Sequence, residues 1–187
     1  YVPSNFSCRK CCTFGKKKHI EINDMIKKIV FSALFILFIT GCTKDDICTE
    51  ETPKTPFLII KFKSKVNPLL PKEVSNLTVT TIVNDENIDL YKSETRDSIA
   101  IPLNTQSNTT NYLLIKGNTS TTDGNTDVVT FNYQRDNIYI NRACAFKTIY
   151  RDLLTLLDVE EDNWINEIEI NNSLIENEQN THVTIFH

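Results

Sequence analysis

The feature that most constrains this chain is a short apolar run near its beginning. Residues 25–42 read MIKKIVFSALFILFITGC, in which Lys27 and Lys28 precede an apolar run from residue 29 to residue 39. A basic start, a short apolar middle and an end of small residues are the parts of a secretory signal peptide. The run is shorter than the roughly 20 apolar residues that a membrane-spanning helix needs. We therefore predict that residues 25–41 are a signal peptide that directs export.

The signal segment ends in a cysteine, which adds a second prediction. Ile39, Thr40, Gly41 and Cys42 resemble the lipobox of bacterial lipoproteins. In that family the cysteine sulfur receives a diacylglycerol, a peptidase cleaves before the cysteine, and the new amino terminus is acylated. The resemblance implies lipidation at Cys42 and a mature protein that begins there. Two or more acyl chains give durable membrane attachment, whereas a single chain binds weakly.

Residues 1–24 precede the single methionine of the chain, Met25. Translation from Met25 would make them an upstream read-through or extension, so we exclude them from the fold prediction. The segment contains four residues of types that bind zinc: Cys8, Cys11, Cys12 and His19. No second matching pair follows them, and signal cleavage would remove them. We therefore predict no metal site from this cluster.

Charge limits the partners of the mature chain. Residues 42–187 are enough for one domain and contain 13 basic and 22 acidic residues, a net charge of −9. Nucleic-acid binding needs clustered lysine and arginine, so we predict no nucleic-acid partner. An acidic body is also repelled by anionic lipids. Attachment to the membrane is therefore expected through the acyl chains at Cys42.

The residues after the cysteine suggest a destination. Lys44, Asp45 and Asp46 resemble the surface-export signal of lipoproteins from the Bacteroidetes. The resemblance implies an outer-membrane lipoprotein, exposed at the cell surface or facing the periplasm. The alternative is a solvated linker, since charged residues beside threonine and proline are typical of loops. We predict that residues 42–56 form a lipidated tether, stiffened by two prolines.

The two remaining cysteines allow one pairing. Once Cys42 carries lipid, Cys48 and Cys144 are left in the mature chain. Oxidising compartments favour a disulfide between two such residues. The alternative is a pair of buried free thiols, because the sequence alone gives no distance between them.

From residue 57 onward the pattern is typical of β-strands. We predict strands at residues 57–63, 77–83, 98–103, 112–116, 127–134, 137–150, 164–170 and 181–186. Residues 84–87 are predicted as a turn, and residues 135–136 as the break of a hairpin. Residues 153–159 fit a short helix or a strand, and the β-rich surroundings favour a strand.

These strands lie between polar turns and lack a βαβ rhythm. Such a pattern predicts an all-β domain at residues 57–187, following the N-terminal signal helix. The fold class we predict is an antiparallel β-sandwich, Ig-like or transthyretin-like, of about 7–8 strands.

The sequence offers little catalytic chemistry. It contains no Gly-x-Ser-x-Gly or His-Glu-x-x-His motif, and its 4 glycines leave little material for a phosphate-binding loop. We therefore predict no catalytic residue, cofactor or metal, and no enzyme activity. Asp123 and Asp127 have the spacing of part of a calcium loop, but the further acid near its start and the downstream glutamate are missing, so we predict an Asp-Gly turn before a strand. His182 and His187 are five positions apart, and an odd separation places them on opposite faces of a strand, so they cannot share a metal from that strand.

The aromatic residues allow two interpretations. Six of them are candidates for a sugar-stacking platform: Trp164, Tyr91, Tyr112, Tyr133, Tyr139 and Tyr150. Packing in the core and across strands is the more common use of such side chains.

Four stretches resemble a family of uncharacterised lipoproteins of the Bacteroidetes. They are residues 45–48, 52–61, 139–144 and 163–165. The resemblance implies a small exported β-domain in which Cys48 and Cys144 occupy paired positions, and it implies no activity. Ala145 stands where we expect a glycine after the second cysteine.

Two functional hypotheses remain for the mature chain. The first is a non-catalytic interaction module that binds an envelope protein by edge pairing, for example an outer-membrane β-barrel protein. The alternative is a carbohydrate-binding accessory lipoprotein, which requires exposed aromatic residues on one face. An enzyme would require a cleft with converging acids or a histidine with a polar partner.

Overall fold

The computed structural model describes residues 25–33, 48–83 and 86–187. The chain forms two compact units, Tyr1–Ile47 and Cys48–His187. The described part of the first unit is a helix at residues 25–33, within the predicted signal peptide. None of the helices in the described ranges is both long enough and apolar enough to cross a membrane.

The second unit is a β-sandwich, as predicted. Its described residues form nine strands: β1 Leu58–Lys63, β2 Val74–Val83, β3 Glu86–Arg96, β4 Ser98–Ile101, β5 Thr109–Lys116, β6 Asn125–Asn141, β7 Ala145–Leu157, β8 Glu167–Ile170 and β9 Val183–Phe186. One sheet has the order β4-β1-β9-β8 and the other has the order β3-β2-β5-β6-β7.

Pairing within the sheets is antiparallel with one exception. Strands β1 and β9 run parallel, with Ile60 opposite Val183 and Phe62 opposite Ile185. A parallel pair cannot be joined by a tight turn, and these two strands lie at opposite ends of the domain sequence. The sandwich is therefore closed by a contact between its first and last strands.

The core forms because apolar residues alternate along the strands. Leu58, Ile60 and Phe62 of β1 are fully buried, as their period of two predicts. Phe131 of β6 and Ile185 of β9 are fully buried as well. These side chains belong to one continuous core cluster to which both sheets contribute.

Strand β3 was missed by the sequence analysis. We predicted a turn at residues 84–87 and no strand between residues 88 and 97, whereas β3 runs from Glu86 to Arg96. Its residues are exposed or half-buried, because it lies at the edge of its sheet. Strand prediction depends on apolar alternation, which an exposed edge strand does not need.

The predicted hairpin break at residues 135–136 is wrong. Strand β6 runs through this position without interruption, and Arg135 and Asp136 pair with Tyr150 and Ile149 of β7. The chain turns instead at residues 142–144. The preference for a strand at residues 153–159 is confirmed as far as Leu157, where β7 ends.

A disulfide joins Cys48 to Cys144, and their Cα atoms are 5.1 Å apart. It connects the start of the second unit to the turn between β6 and β7. The next residue, Ala145, has a φ angle of 56°. This left-handed conformation is the one that favours glycine, the residue that the family resemblance led us to expect at this position.

Candidate functional site

The predicted lipidation and export residues lie outside the described residues. These are Ile39, Thr40, Gly41, Cys42, Lys44, Asp45 and Asp46. The candidate binding surfaces that the structure describes lie on the β-sandwich.

The outer edge of β7 is covered in its middle part. The N–H of Tyr150 donates to the carbonyl of Ile175 over 3.1 Å, and the N–H of Ile175 donates back over 2.8 Å. The N–H of Leu153 donates to the carbonyl of Ser173 over 3.2 Å. A segment of the chain's own loop thus covers β7 from Tyr150 to Leu153.

Beyond Leu153 the edge is open. In the described chain no strand lies outside β7 in this sheet. The N–H of Asp158 donates inward to the carbonyl of Val128. Because inward and outward bonding alternates along an antiparallel strand, the N–H and C=O groups of Thr155 and Leu157 point outward. Residues 154–157, which we call the open edge, therefore offer main-chain groups to another strand.

The side chains of the open edge are uncharged, and three of the four are leucines. Leu154 is 62% exposed and Leu156 is 58% exposed, and both are on the outer face of the strand. Val159 follows directly and is also exposed. Exposed leucines beside unpaired main-chain groups are typical of a surface that accepts an additional strand.

The other three edges carry features that discourage strand addition. Strand β3 has five charged residues: Glu86, Asp89, Lys92, Glu94 and Arg96. Strand β4 has four residues and is followed by Pro102. Strand β8 also has four residues, of which Glu167 and Glu169 are exposed. Short strands, charges and proline are the usual protection of sheet edges.

The surroundings of the open edge are acidic. Four exposed acidic residues lie in the loop after β7: Asp158, Glu160, Glu161 and Asp162. Strand β8, which carries the exposed Glu169, contacts β7 from the other sheet, whereas Glu167 of β8 forms an ion pair with Lys65. A strand added at the open edge would therefore lie in a negative field.

A second candidate surface is organised by three buried tyrosines. The hydroxyl of Tyr112 donates to the carbonyl of Pro102. The hydroxyls of Tyr150 and Tyr133 donate to the carbonyls of Leu103 and Asn104, each over 3.0 Å. Three consecutive carbonyls of one loop are therefore held by the core of the sandwich.

Burial affects the ionisation of all three tyrosines. Burial raises the pKa of Tyr150 to about 12, with a further contribution from Tyr133. The pKa values of Tyr112 and Tyr133 are also raised, and burial is the main cause. The hydroxyls therefore stay protonated at neutral pH and remain hydrogen-bond donors.

The loop held by these tyrosines forms one wall of a cleft of about 840 Å³. The cleft is lined by residues 81–83 of β2, 102–107 of the loop and 109–112 of β5. Most of these residues are threonine, serine, asparagine or glutamine. The lining described by the structure includes no Asp, Glu, Lys or Arg.

The predicted aromatic platform is not assembled. Trp164 is buried, and its indole N–H donates to the carbonyl of Leu114 over 3.0 Å. Tyr112, Tyr133 and Tyr150 are buried in the core, and Tyr91 is half-buried. Tyr139 alone of the six is exposed, and it packs against Phe146 at a ring distance of 5.4 Å.

The two C-terminal histidines have structural partners. His182 Nδ1 accepts the N–H of Ile59 over 3.0 Å, and His187 Nε2 lies 3.2 Å from the carbonyl of Lys72. Burial lowers the pKa of both imidazoles. In the ranges that the structure describes, no cluster of three His, Cys, Asp or Glu residues is arranged to hold a metal.

Asp127, considered above as part of a calcium loop, is a buried acceptor. Its carboxylate accepts the N–H of Ile165 over 2.7 Å and the N–H of Trp164 over 3.3 Å. Asp123 of the same loop is exposed. Asp127 therefore fixes the approach to β8.

Neither candidate surface was predicted from the sequence. The open edge has one local signal, the uncharged run Leu-Leu-Thr-Leu-Leu at residues 153–157. The cleft also has a signal, the run of Asn, Thr, Gln and Ser at residues 104–111. Neither signal indicates which groups face the solvent.

Comparison with known protein families places most of the β-sandwich in a family. The model of DUF6452, described as a family of unknown function, matches residues 76–187. This range includes the open edge and the cleft. No curated protein matches the chain, and no solved structure matches it.

Proposed function

The chain belongs to the DUF6452 family of unknown function, and from this premise we propose that it is a lipid-anchored envelope lipoprotein that binds another protein through the open edge of β7. The binding is non-catalytic. The partner is an extended segment of another envelope protein, which pairs with Thr155 and Leu157. The outer membrane of a member of the Bacteroidetes is the proposed location.

The signal-like segment supports the anchor. Residues 39–42 match the lipobox pattern, and Lys44 with Asp45 and Asp46 matches the export pattern. The acidic body of the chain has no attraction to anionic lipid, so acylation of Cys42 is the proposed means of attachment. The tether after Cys42 would hold the sandwich close to membrane proteins and raise their effective concentration.

The observation that carries the proposal is the contrast between β7 and the other edges. The three other edges are short or charged, whereas residues 154–157 combine outward main-chain groups with exposed leucines. Main-chain hydrogen bonds give affinity in such pairing, and alternate side chains give specificity. Leu154 and Leu156 lie two residues apart, so both contact the same face of an added strand.

The acidic residues beside the open edge limit which partner segments can bind there. The loop at residues 158–162 contributes four exposed acids next to the open edge. A second copy of the chain would bring its own acidic loop towards this region and is disfavoured by repulsion. The proposed partner segment is therefore apolar at alternate positions and carries lysine or arginine at the end that lies beside the acidic loop.

Site-specific photo-crosslinking in intact cells tests the edge. A photoreactive residue at position 156 should give a product with another envelope protein, whereas one at position 88 should not. Ile88 is an exposed apolar residue on the charged edge strand β3 and serves as the matched control. A product of twice the chain's own mass, or equal products at both positions, would overturn the proposal.

A pair of substitutions at Thr155 separates edge pairing from side-chain contact. Thr155→Pro removes an outward N–H and costs no inward sheet bond, whereas Thr155→Ala keeps that N–H. We expect crosslinking from position 156 to be lost in Thr155→Pro and retained in Thr155→Ala. Retention in both variants would exclude strand addition as the mode of binding.

Metabolic labelling with palmitate tests the anchor. The unmodified chain should incorporate label and lose its leader, whereas Cys42→Ala should do neither. Cys48→Ala is the matched control, because it removes a cysteine six residues later and should remain labelled. Label retained in Cys42→Ala would show that the anchor is wrongly assigned.

A further inference from the structure

We propose that the cleft formed by residues 81–83, 102–107 and 109–112 binds a neutral oligosaccharide. The cleft has a volume of about 840 Å³, which lies within the usual range for small-ligand sites. It involves β2 and β5, whereas the open edge belongs to β7, so this is a second and separate binding surface.

The lining indicates a neutral ligand. A charged ligand requires an opposite charge, and the described lining residues include no acidic or basic side chain. An apolar ligand would leave the exposed side-chain amides of Gln106 and Asn111 without hydrogen-bond partners. A ligand rich in hydroxyl groups satisfies both conditions, because each hydroxyl both donates and accepts hydrogen bonds.

The loop that lines the cleft is held by hydrogen bonds, and two side-chain amides of the cleft are available to bind a ligand. The side-chain oxygen of Asn104 accepts the N–H groups of Gln106 and Ser107 over 2.7 and 3.2 Å. These bonds and the tyrosine contacts hold the loop in one conformation. The side-chain amides of Gln106 and Asn111 are exposed and have no hydrogen-bond partner within the described part of the chain. They are the groups that we assign to ligand hydroxyls.

Two apolar side chains complete the surface. Ile82 is 55% exposed and Val83 is 45% exposed at the β2 side of the cleft. A sugar ring has a face of C–H groups as well as hydroxyl groups. Contact of the C–H face with Ile82 and Val83 would remove apolar area from water while the amides bind the hydroxyls. This arrangement replaces the aromatic platform that the sequence suggested.

Isothermal titration calorimetry on the full chain tests the site. The neutral probes are cellohexaose, maltohexaose and mannohexaose, and the acidic probe is hexagalacturonate. We expect saturable binding of at least one neutral probe and no binding of the acidic probe. The double variant Gln106→Ala with Asn111→Ala should weaken that binding at least tenfold, because it removes both amides.

The matched control is Gln179→Ala with Asn180→Ala. It removes the same two residue types from an exposed loop that is not part of the cleft lining. This control should bind the neutral probe as the unmodified chain does. Binding of no neutral probe, stronger binding of the acidic probe, or equal weakening in both double variants would overturn the proposal.

Discussion

Ala145 has a strained backbone conformation that lowers the stability of the fold. It follows Cys144 at the β6–β7 turn and has a φ angle of 56°. A left-handed conformation costs a non-glycine residue about 1–2 kcal/mol. We expect Ala145→Gly to raise the free energy of unfolding by up to about 1 kcal/mol, since the flexibility of glycine in the unfolded chain offsets part of the gain. Urea denaturation under oxidising conditions measures this change in the free energy of unfolding.

Ala100→Gly is the matched control for this prediction. Ala100 lies in β4 and pairs with Ile59 in an ordinary antiparallel register. Glycine in a strand interior costs roughly 0.5–1 kcal/mol, so this variant should be less stable than the unmodified chain. Destabilisation of similar size in both variants would contradict the assignment of strain to Ala145.

Asp127 provides a second prediction at the residue scale. Its buried carboxylate accepts the main-chain N–H groups of Trp164 and Ile165. Asp127→Ala leaves both donors without an acceptor, and we expect a loss of about 3 kcal/mol in the free energy of unfolding. Asp123→Ala, at an exposed position in the loop before β6, should change stability by less than about 0.5 kcal/mol. Equal midpoints in urea for the two variants would refute the role of Asp127.

At the scale of elements, the loop at residues 102–104 depends on protonated tyrosines. Unfolded tyrosine has a pKa of about 10, whereas burial raises the pKa of Tyr150 to about 12 in the folded protein. Above pH 10 the unfolded state therefore loses protons first, and the folded state binds more protons than the unfolded state. The free energy of unfolding must then fall as pH rises.

We expect this contribution to be intact below pH 10 and to be lost from pH 10 to 12. The slope should approach about 1.4 kcal/mol per pH unit for each tyrosine involved. Urea unfolding at pH 8, 10 and 11 measures how the free energy of unfolding changes with pH. Tyr150→Phe should reduce the slope, whereas Tyr139→Phe should not, because Tyr139 is 59% exposed and lies outside the trio. Identical slopes in both variants would contradict the prediction.

At the scale of the whole molecule, the disulfide closes most of the second unit into a loop. Cys48 and Cys144 are separated by 96 positions. Constraint of so long a loop in the unfolded chain stabilises the fold by about 4–5 kcal/mol in the chain-entropy model. The double variant Cys48→Ser with Cys144→Ser should lose this amount in urea denaturation. Reduction with dithiothreitol should lower the stability of the unmodified chain and leave the variant unchanged.

The sequence determined the features that depend on neighbouring residues. The signal-peptide pattern is readable from the sequence because its charges, apolar run and cysteine are contiguous. The buried face of β1 was predictable because Leu58, Ile60 and Phe62 alternate with a period of two. The choice of a sandwich followed from many such runs, and the structure confirms it.

Only the tertiary structure decided the features that depend on distant residues. The parallel contact of β1 with β9 joins the two ends of the domain, and the bond from Tyr150 to Leu103 spans 47 positions. The position of β7 at a sheet edge is likewise a property of strand order. Local patterns record which side chains prefer burial, but they do not record which strand becomes a neighbour. The two candidate binding surfaces depend on which strands are neighbours, and local sequence patterns do not encode this.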